Sequence, residues 1–249
     1  MNGLSILCAP FMNERIAAFT TLRTGGHSEP PYDNWNLAAH VGDNPEHVAA
    51  NRAYLESYLP GCATPRWLAQ EHGTRVVAGH DPAVGEKPCA DASWTDQPGV
   101  PLAVLTADCL PVVFVNDSET TLAVAHAGWR GLAAGILENT LRHLGDPRTL
   151  RVWLGPAISQ RAFEVGEDVL EQFIASRGQS VRACFRQGVA SGKYHADLYA
   201  LARQELALAG VTHVTGGDRC TFGEPENFFS YRRECTTGRM ATVVCLLPH

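Results

Sequence analysis

Residues 106–131, TADCLPVVFVNDSETTLAVAHAGWRG, constrain this chain more than any other stretch. Two apolar runs, 111–115 and 121–125, flank a polar segment at 116–120, which is the pattern of a β-hairpin. With the turn centred between Asp117 and Ser118, Cys109 falls opposite His126, so a thiolate and an imidazole share the open end of one hairpin. Strand side chains alternate between faces, so this register decides where the pair points. The segment continues through Gly128, Trp129, Arg130 and Gly131 into a helical pattern, which aims free backbone N–H groups toward the same place. A metal-ligand pair and an anion site are therefore expected to be neighbours.

The flanking sequence supplies a frame for that hairpin. Residues 100–106 form a continuous apolar run, expected of a strand buried on both faces, and the ionisable Asp108 and Cys109 directly follow it. Downstream, residues 132–144 place Ile136, Leu137, Leu141 and Leu144 at the spacing of one helix with a buried stripe. Residues 150–154 read as a strand and 167–176 as a helix. Asp197 caps a helix over 198–209 that stops at Gly210, and short strands follow at 211–215 and 240–247. Signals are weak over 177–194, and 221–229 is irregular. Upstream, 15–21 is a strand that carries Arg23 at its end, beside the Gly25-Gly26 turn. A helix begins at Pro45, capped by Asp43 or Asn44, with Val48, Leu55 and Leu59 inward. Residues 67–70 and 75–78 read as strands around a sharp turn at His72 and Gly73. Residues 79–99 are loop-rich and include the polar stretch around Asp91. The fold class expected is α/β, with mixed β-sheets flanked by helices, in one domain over residues 1–249.

Composition narrows the function. A chain of 249 residues can bury a large core without disulfides. Its formal charge of −6 argues against a nucleic-acid or acidic-membrane binder, while a few local arginines could still hold a small anion. No apolar run approaches the roughly 18 residues of a membrane span, and residues 1–11 lack the positive region of a secretory signal, so a cytoplasmic location is expected. The eight cysteines include no CxxC pair, which argues against a zinc ribbon or thioredoxin motif, and most are expected to serve as small core residues.

Chemistry then limits what His72, Cys109 and His126 can do together. Two imidazoles and a thiolate form an N₂S set suited to zinc, with a fourth position open to water, as catalytic zinc sites require. The rival reading makes Cys109 a nucleophile with His126 as its base. An isolated histidine at a turn, such as His72, is ordinarily a hydrogen-bonded surface residue.

Several motifs nonetheless carry a family resemblance along nearly the whole length. They are Thr21-Leu22-Arg23-Thr24-Gly25-Gly26, Asn36-Leu37 with His40-Val41-Gly42-Asp43, Gln70-Glu71-His72-Gly73, Thr106-Ala107-Asp108-Cys109-Leu110-Pro111, His126-Ala127-Gly128-Trp129-Arg130-Gly131, Leu154-Gly155-Pro156 and Ser230-Tyr231-Arg232-Arg233. The chain resembles the YfiH-like proteins, also called laccase-domain or polyphenol oxidase proteins, and more recently purine nucleoside phosphorylases or peptidoglycan editing proteins. The resemblance implies one zinc held by His72, Cys109 and His126, and a fold similar to the putative cysteine hydrolases. It implies phosphorolysis of adenosine, inosine and related nucleosides, and hydrolytic deamination of adenosine by zinc-bound water. On this reading Cys109, His126 and Asp108 are the catalytic candidates. Arg23, Asn36, Arg130 and Arg232 are candidates for substrate or phosphate binding, together with the loop amides after His126. Purine nucleoside and phosphate are then the partners. Two alternatives stand beside it: hydrolysis of a wrongly added amino acid from a UDP-muramoyl precursor, and a zinc-stabilised interaction module. Copper chemistry is disfavoured, because multicopper oxidases assemble their sites from paired His-x-His ligands and the ten histidines here include no such pair.

Overall fold

A computed structural model describes residues 5–248. Its strands form two large sheets and one small one. Four antiparallel strands make the first sheet, in the order β1 (Ile6–Cys8), β2 (Ile16–Thr21), β13 (Met240–Leu246) and β5 (Leu102–Thr106). The second sheet has six strands, ordered β12 (His213–Gly216), β8 (Leu150–Leu154), β6 (Leu110–Asn116), β7 (Leu122–Ala127), β4 (Ala92–Thr95) and β3 (Val76–Ala78). Its two outer pairs are parallel and its inner pairs antiparallel, so the sheet is mixed as expected. A small antiparallel sheet combines β9 (Glu164–Gly166), β10 (Phe185–Gln187) and β11 (Lys193–Ala196).

The two large sheets pack face to face, and helices cover their outer sides. Alternation along each strand accounts for this four-layer arrangement. In β13, Val244 and Leu246 point into the layer between the sheets, where they meet Val113 and Val115 of β6 and Leu122 and Val124 of β7. Val243 and Cys245 point the other way, toward Trp35, Leu37 and Leu55. Leu55 lies on α1 (Pro45–Glu56). The outer face of the six-stranded sheet, with Val112, Phe114 and Val152, is covered by α2 (Trp129–Ala134), α3 (Ile136–Leu141), α4 (Glu167–Arg177) and α5 (Leu198–Leu208). Strands buried on both faces must be apolar throughout, which explains the unbroken run ending at Thr106. A short α6 (Tyr231–Glu234) precedes β13.

Local signals hold at the helix ends. Asn44 accepts a hydrogen bond from the Glu46 N–H with Pro45 in the first turn, and Asp197 accepts from the Ala200 N–H at the start of α5. Three expectations need correction. The single helix over 132–144 is two helices, broken at Gly135, whose φ of 102° lies in the left-handed region. There the Gly135 N–H bonds back to Gly131 and Leu132, and Arg177 takes up the Leu132 carbonyl at 3.1 Å. Residues 67–70 form no strand but only isolated bridges at Arg66 and Ala69, because the Gln70 side-chain amide replaces a ladder rung by bonding both the N–H and C=O of Leu105. The loop-rich stretch 79–99 contains β4, which fills the place between β7 and β3 despite its polar sequence.

The hairpin register also differs. Pro111, not Cys109, pairs with His126, and Leu110 pairs with Ala127. Asn116 sets this shift. Its side-chain oxygen accepts the N–H groups of Thr120 and Thr121, its carbonyl accepts the Glu119 N–H, and Glu119 takes a φ of 55°. The turn centre thereby moves one residue toward the C-terminus, and Cys109 sits just before the strand. A shift of two in the pairing preserves the face, so Cys109 still reaches His126 diagonally.

Candidate metal centre

The site lies where the layer between the two sheets runs out. His126 shares the face of β7 that carries Leu122 and Val124, and it is 3 % exposed. Cys109 directly precedes β6, and His72 projects from a turn at a φ of 61°. One ligand atom from each of these three residues lies within 4.8 Å of the other two. Cys109 Sγ is 3.6 Å from His72 Nε2, and the two imidazole rings meet edge to face at 4.7 Å between centroids.

Asp91 organises this cluster from behind. Its Oδ1 accepts from His126 Nδ1 at 2.8 Å and from the His72 backbone N–H at 2.9 Å. Its Oδ2 accepts from the Gly73 N–H at 2.7 Å and the Glu71 N–H at 3.2 Å. Its backbone carbonyl takes the His126 N–H at 2.7 Å. One buried carboxylate thus fixes the turn that carries His72 and holds the proton of His126 on Nδ1. Nε2 faces the cluster as the ligand atom, and it gives up its own proton when a metal binds. Burial opposes the Asp91 charge, but the His126 and Gly73 hydrogen bonds outweigh it and hold the carboxyl below its ordinary value.

The same opposition governs the ligands. Burial works against both charges, yet the Cys109 charge and the Asp91 hydrogen bond push the His126 imidazole up to about 9. The His126 charge and hydrogen bonds from His126 and His72 bring the Cys109 thiol down to about 6. Cys109 is therefore held ready as a thiolate near neutral pH, the form that binds metal. Two glycines let the elements close on the cluster. A Cβ at Gly128 would lie 2.7 Å from His72 Cδ2 and 3.2 Å from Cys109 Sγ, and one at Gly131 would lie 2.7 Å from the Gly73 carbonyl.

A cleft of about 530 Å³ opens in front of the three ligands. Its walls include His40, Gln70, Lys87, Thr106, Tyr231 and Arg239. The other sequence candidates stand elsewhere. Asp108 accepts the Thr221 hydroxyl on one carboxylate oxygen at 2.6 Å and the Arg232 N–H on the other at 2.7 Å, and it does not line the cleft. Arg23 is paired with Glu234 at 3.1 Å and Asp33 at 3.4 Å. Asn36 is fully buried and bonds Ala38, Asp43 and the Arg239 N–H. Arg130 lies over the Trp129 ring at 4.4 Å, and the Arg232 side chain donates to the Glu164 carbonyl at 2.8 Å. Residues 127–131 are not among the lining residues. Asp91, Lys87 and Arg239 carry no spacing signal in the sequence. Asp91 stood in a polar stretch that could border a site, and only its place behind His126 reveals its role.

Fold and ligands together define a class: a four-layer α/β protein with an open two-histidine, one-cysteine centre at the mouth of its sheet sandwich. Residues 17–247 match the family described as multi-copper polyphenol oxidoreductase laccase, and the chain belongs to this YfiH family. It is 50 % identical over 234 residues to the purine nucleoside phosphorylase YfiH of Escherichia coli K12, covering 93 % of this chain and 94 % of that one. A purine nucleoside phosphorylase of Haemophilus influenzae is 44 % identical over 232 residues, with 93 % and 94 % covered. Among solved structures, a Neisseria meningitidis protein of the DUF152 family superposes with a TM-score of 0.92 at 45 % identity, covering 98 % of this chain and all of that one. YlmD from Geobacillus stearothermophilus gives 0.84 at 31 % identity, covering 100 % and 98 %. The family description names several coppers. Among the described residues one cluster of three ligating side chains is found, which suits a single ion. No helix of the described residues is long and apolar enough to cross a membrane.

Proposed function

We propose that this chain is a zinc-dependent purine nucleoside enzyme. It cleaves adenosine, inosine and related nucleosides with phosphate to the free base and ribose 1-phosphate, and it deaminates adenosine hydrolytically. The observation that carries this reading is the open three-ligand centre facing a cleft, in a chain half identical to a protein named purine nucleoside phosphorylase. The donor set suits zinc, since two neutral imidazoles and a thiolate match its preferred ligands and leave a fourth position free. Zinc held there supplies Lewis acidity and a water acidified to a pKa of about 7.

The residues of the chain supply the rest. Asp91 keeps His126 in the tautomer that presents Nε2, and through three backbone amides it holds the His72 turn at a fixed reach. Cys109 gives up its proton near neutral pH, so it is available as an anionic ligand. Gln70 has both ends of its amide tied to Leu105 and acts as a fixed wall. Thr106 lines the cleft, and its hydroxyl is buried without a hydrogen-bond partner among the described residues. Tyr231, 55 % exposed at the rim, offers an aromatic face to a purine.

The test is direct. Purified chain should carry about one zinc, release hypoxanthine from inosine only when phosphate is present, and convert adenosine to inosine without it. UDP-muramoyl-serine is assayed in parallel. Hydrolysis of that precursor with nucleosides untouched would overturn the reading in favour of amide hydrolysis.

A further inference from the structure

The wall of the cleft away from the metal ligands is unusual for a chain of net charge −6. It carries three basic side chains, Arg239, Lys87 and His40, and no carboxylate. Several other partly buried arginines are matched with acids, Arg23 with Glu234, Arg151 with Glu119, Arg177 with Glu138 and Arg233 with Glu234, whereas Arg52 and Arg66 donate to backbone carbonyls alone. Among the described residues neither Arg239 nor Lys87 has a carboxylate within 4.0 Å. Lys87 and His40 are exposed and Arg239 is half-buried, so the cost of desolvation falls on Arg239, and a ligand that brings negative charge to this wall would offset it.

Arg239 is fixed for that task. Its Nη1 donates to the Thr237 and Gly238 carbonyls at 2.7 and 2.9 Å, and the guanidinium stands 5.7 Å from the Tyr231 ring centroid. No protein acceptor is found for its Nε or Nη2 among the described residues, so one edge of the planar fork remains for a ligand. The largest charge acting on Arg239 is that of Cys109, which places it within electrostatic reach of the metal ligands. Burial and then the positive charges of Arg239 and Lys87 hold the His40 imidazole below its ordinary value, a mutual repulsion that an anion among the three would relieve.

We infer that Arg239, Lys87 and His40 form the subsite for inorganic phosphate, held in the same cleft as the three metal ligands. This deepens the phosphorolytic reading above and rests on it. The subsite differs from the arginines expected from sequence: Arg23 and Arg232 are already committed to protein acceptors, and neither lines the cleft.

The experiment uses the full metal-loaded chain. Calorimetric titration with inorganic phosphate at fixed salt measures its Kd, and inosine phosphorolysis gives the KM for each substrate. Arg239→Met and Lys87→Met are compared with Arg148→Met, a change on the exposed surface. Loss of one charge-assisted contact should weaken phosphate roughly tenfold or more by both measures. Arg148→Met should change nothing, and the KM for inosine should stay within about twofold in every variant. If Arg239→Met fails to fold, Lys87→Met, on an exposed residue, carries the test. Phosphorolysis with unchanged phosphate affinity in the variants overturns the subsite. Phosphate binding that the variants lose, with no nucleoside turnover in the parent, keeps the subsite and overturns the functional reading. Uridine diphosphate serves as a second probe. If it displaces phosphate with higher affinity and is weakened by the same factor in the variants, the natural oxyanion is an esterified phosphate and inorganic phosphate is overturned.

Discussion

Asp91→Asn isolates the buried carboxylate that aligns the metal ligands, because it changes charge and hydrogen-bonding capacity while keeping shape. Two donors meet each oxygen of Asp91: His126 Nδ1 and the His72 N–H on Oδ1, and the Gly73 and Glu71 N–H groups on Oδ2. Asparagine has one acceptor oxygen, so in either orientation its NH₂ faces two donors. If the oxygen faces Gly73, His126 must give up its Nδ1 proton or its contact, and the tautomer with a free Nε2 is no longer favoured. If the oxygen faces His126, the turn carrying His72 loses its anchor. Two charge-assisted bonds at about 1.5–3 kcal/mol each are lost, partly offset because a desolvated charge is also removed. The expected loss of stability is about 2–4 kcal/mol. Zinc affinity should fall roughly 10- to 100-fold, the usual range for loss of an outer partner of a ligating histidine. Competition with a chromophoric chelator gives the zinc Kd, and urea unfolding gives the stability. A folded variant whose zinc Kd stays within about twofold of the parent would refute the reasoning.

Other perturbations probe different parts of the structure. His126→Ala should lose the metal and all turnover, as read by metal analysis; full occupancy in that variant would contradict the three-ligand centre. Gly128→Ala should evict or distort the ion, since its Cβ would press on His72 at 2.7 Å and Cys109 at 3.2 Å. Gly128 itself has an ordinary φ of −60°, so thermal unfolding of the apo protein should change little while metal content drops. Glu205, 6 % exposed and with no hydrogen bond to either oxygen, is pushed up to about 8 by burial, with Arg177 opposing and Glu138 adding to the rise. Between the ordinary glutamate value near 4.3 and about 8 the folded chain holds a proton that the unfolded chain has lost, so this residue lowers stability as pH rises through that window. Glu205→Gln should therefore be more stable than the parent by about 2–4 kcal/mol at pH 8, with little difference at pH 4. Equal urea midpoints at pH 8 would refute this. Phe114→Ala, at a fully buried position of β6, should cost about 3–5 kcal/mol in the same assay.

Much of the frame was legible because it is written locally. The continuous apolar run over residues 100–106 marked a strand buried on both faces, residues 240–247 read as the final strand, and Asn44 and Asp197 announced helix starts through side chains that bond the next turn. Local reading failed where a distant group replaced a local pattern. Gln70 stands in for a strand rung along β5, and Asn116 moves the hairpin register through bonds to Thr120 and Thr121. At Gly135 a helical stripe continues across a break that periodicity cannot register, because the apolar residues on both sides remain buried.

The site divides in the same way. The hairpin alone brought Cys109 and His126 to one end of the molecule, since the distance between them is set by a short turn and a two-residue period. His72 entered through resemblance to a known family, and its place in the cluster depends on Asp91, whose four bonds join the turn at His72 to His126, itself 35 residues beyond Asp91. Arg239, Lys87 and His40 come from three segments with no periodic relation to the hairpin. Their meeting is decided by the stacking of one sheet on the other and by where the apolar layer between them ends. Sequence by itself determined which residues face inward and which bear the chemistry, because side-chain alternation and helix capping act over a few residues. Tertiary structure decided which chemistry-bearing residues meet, because contacts between separate elements follow from packing and leave no period in the chain.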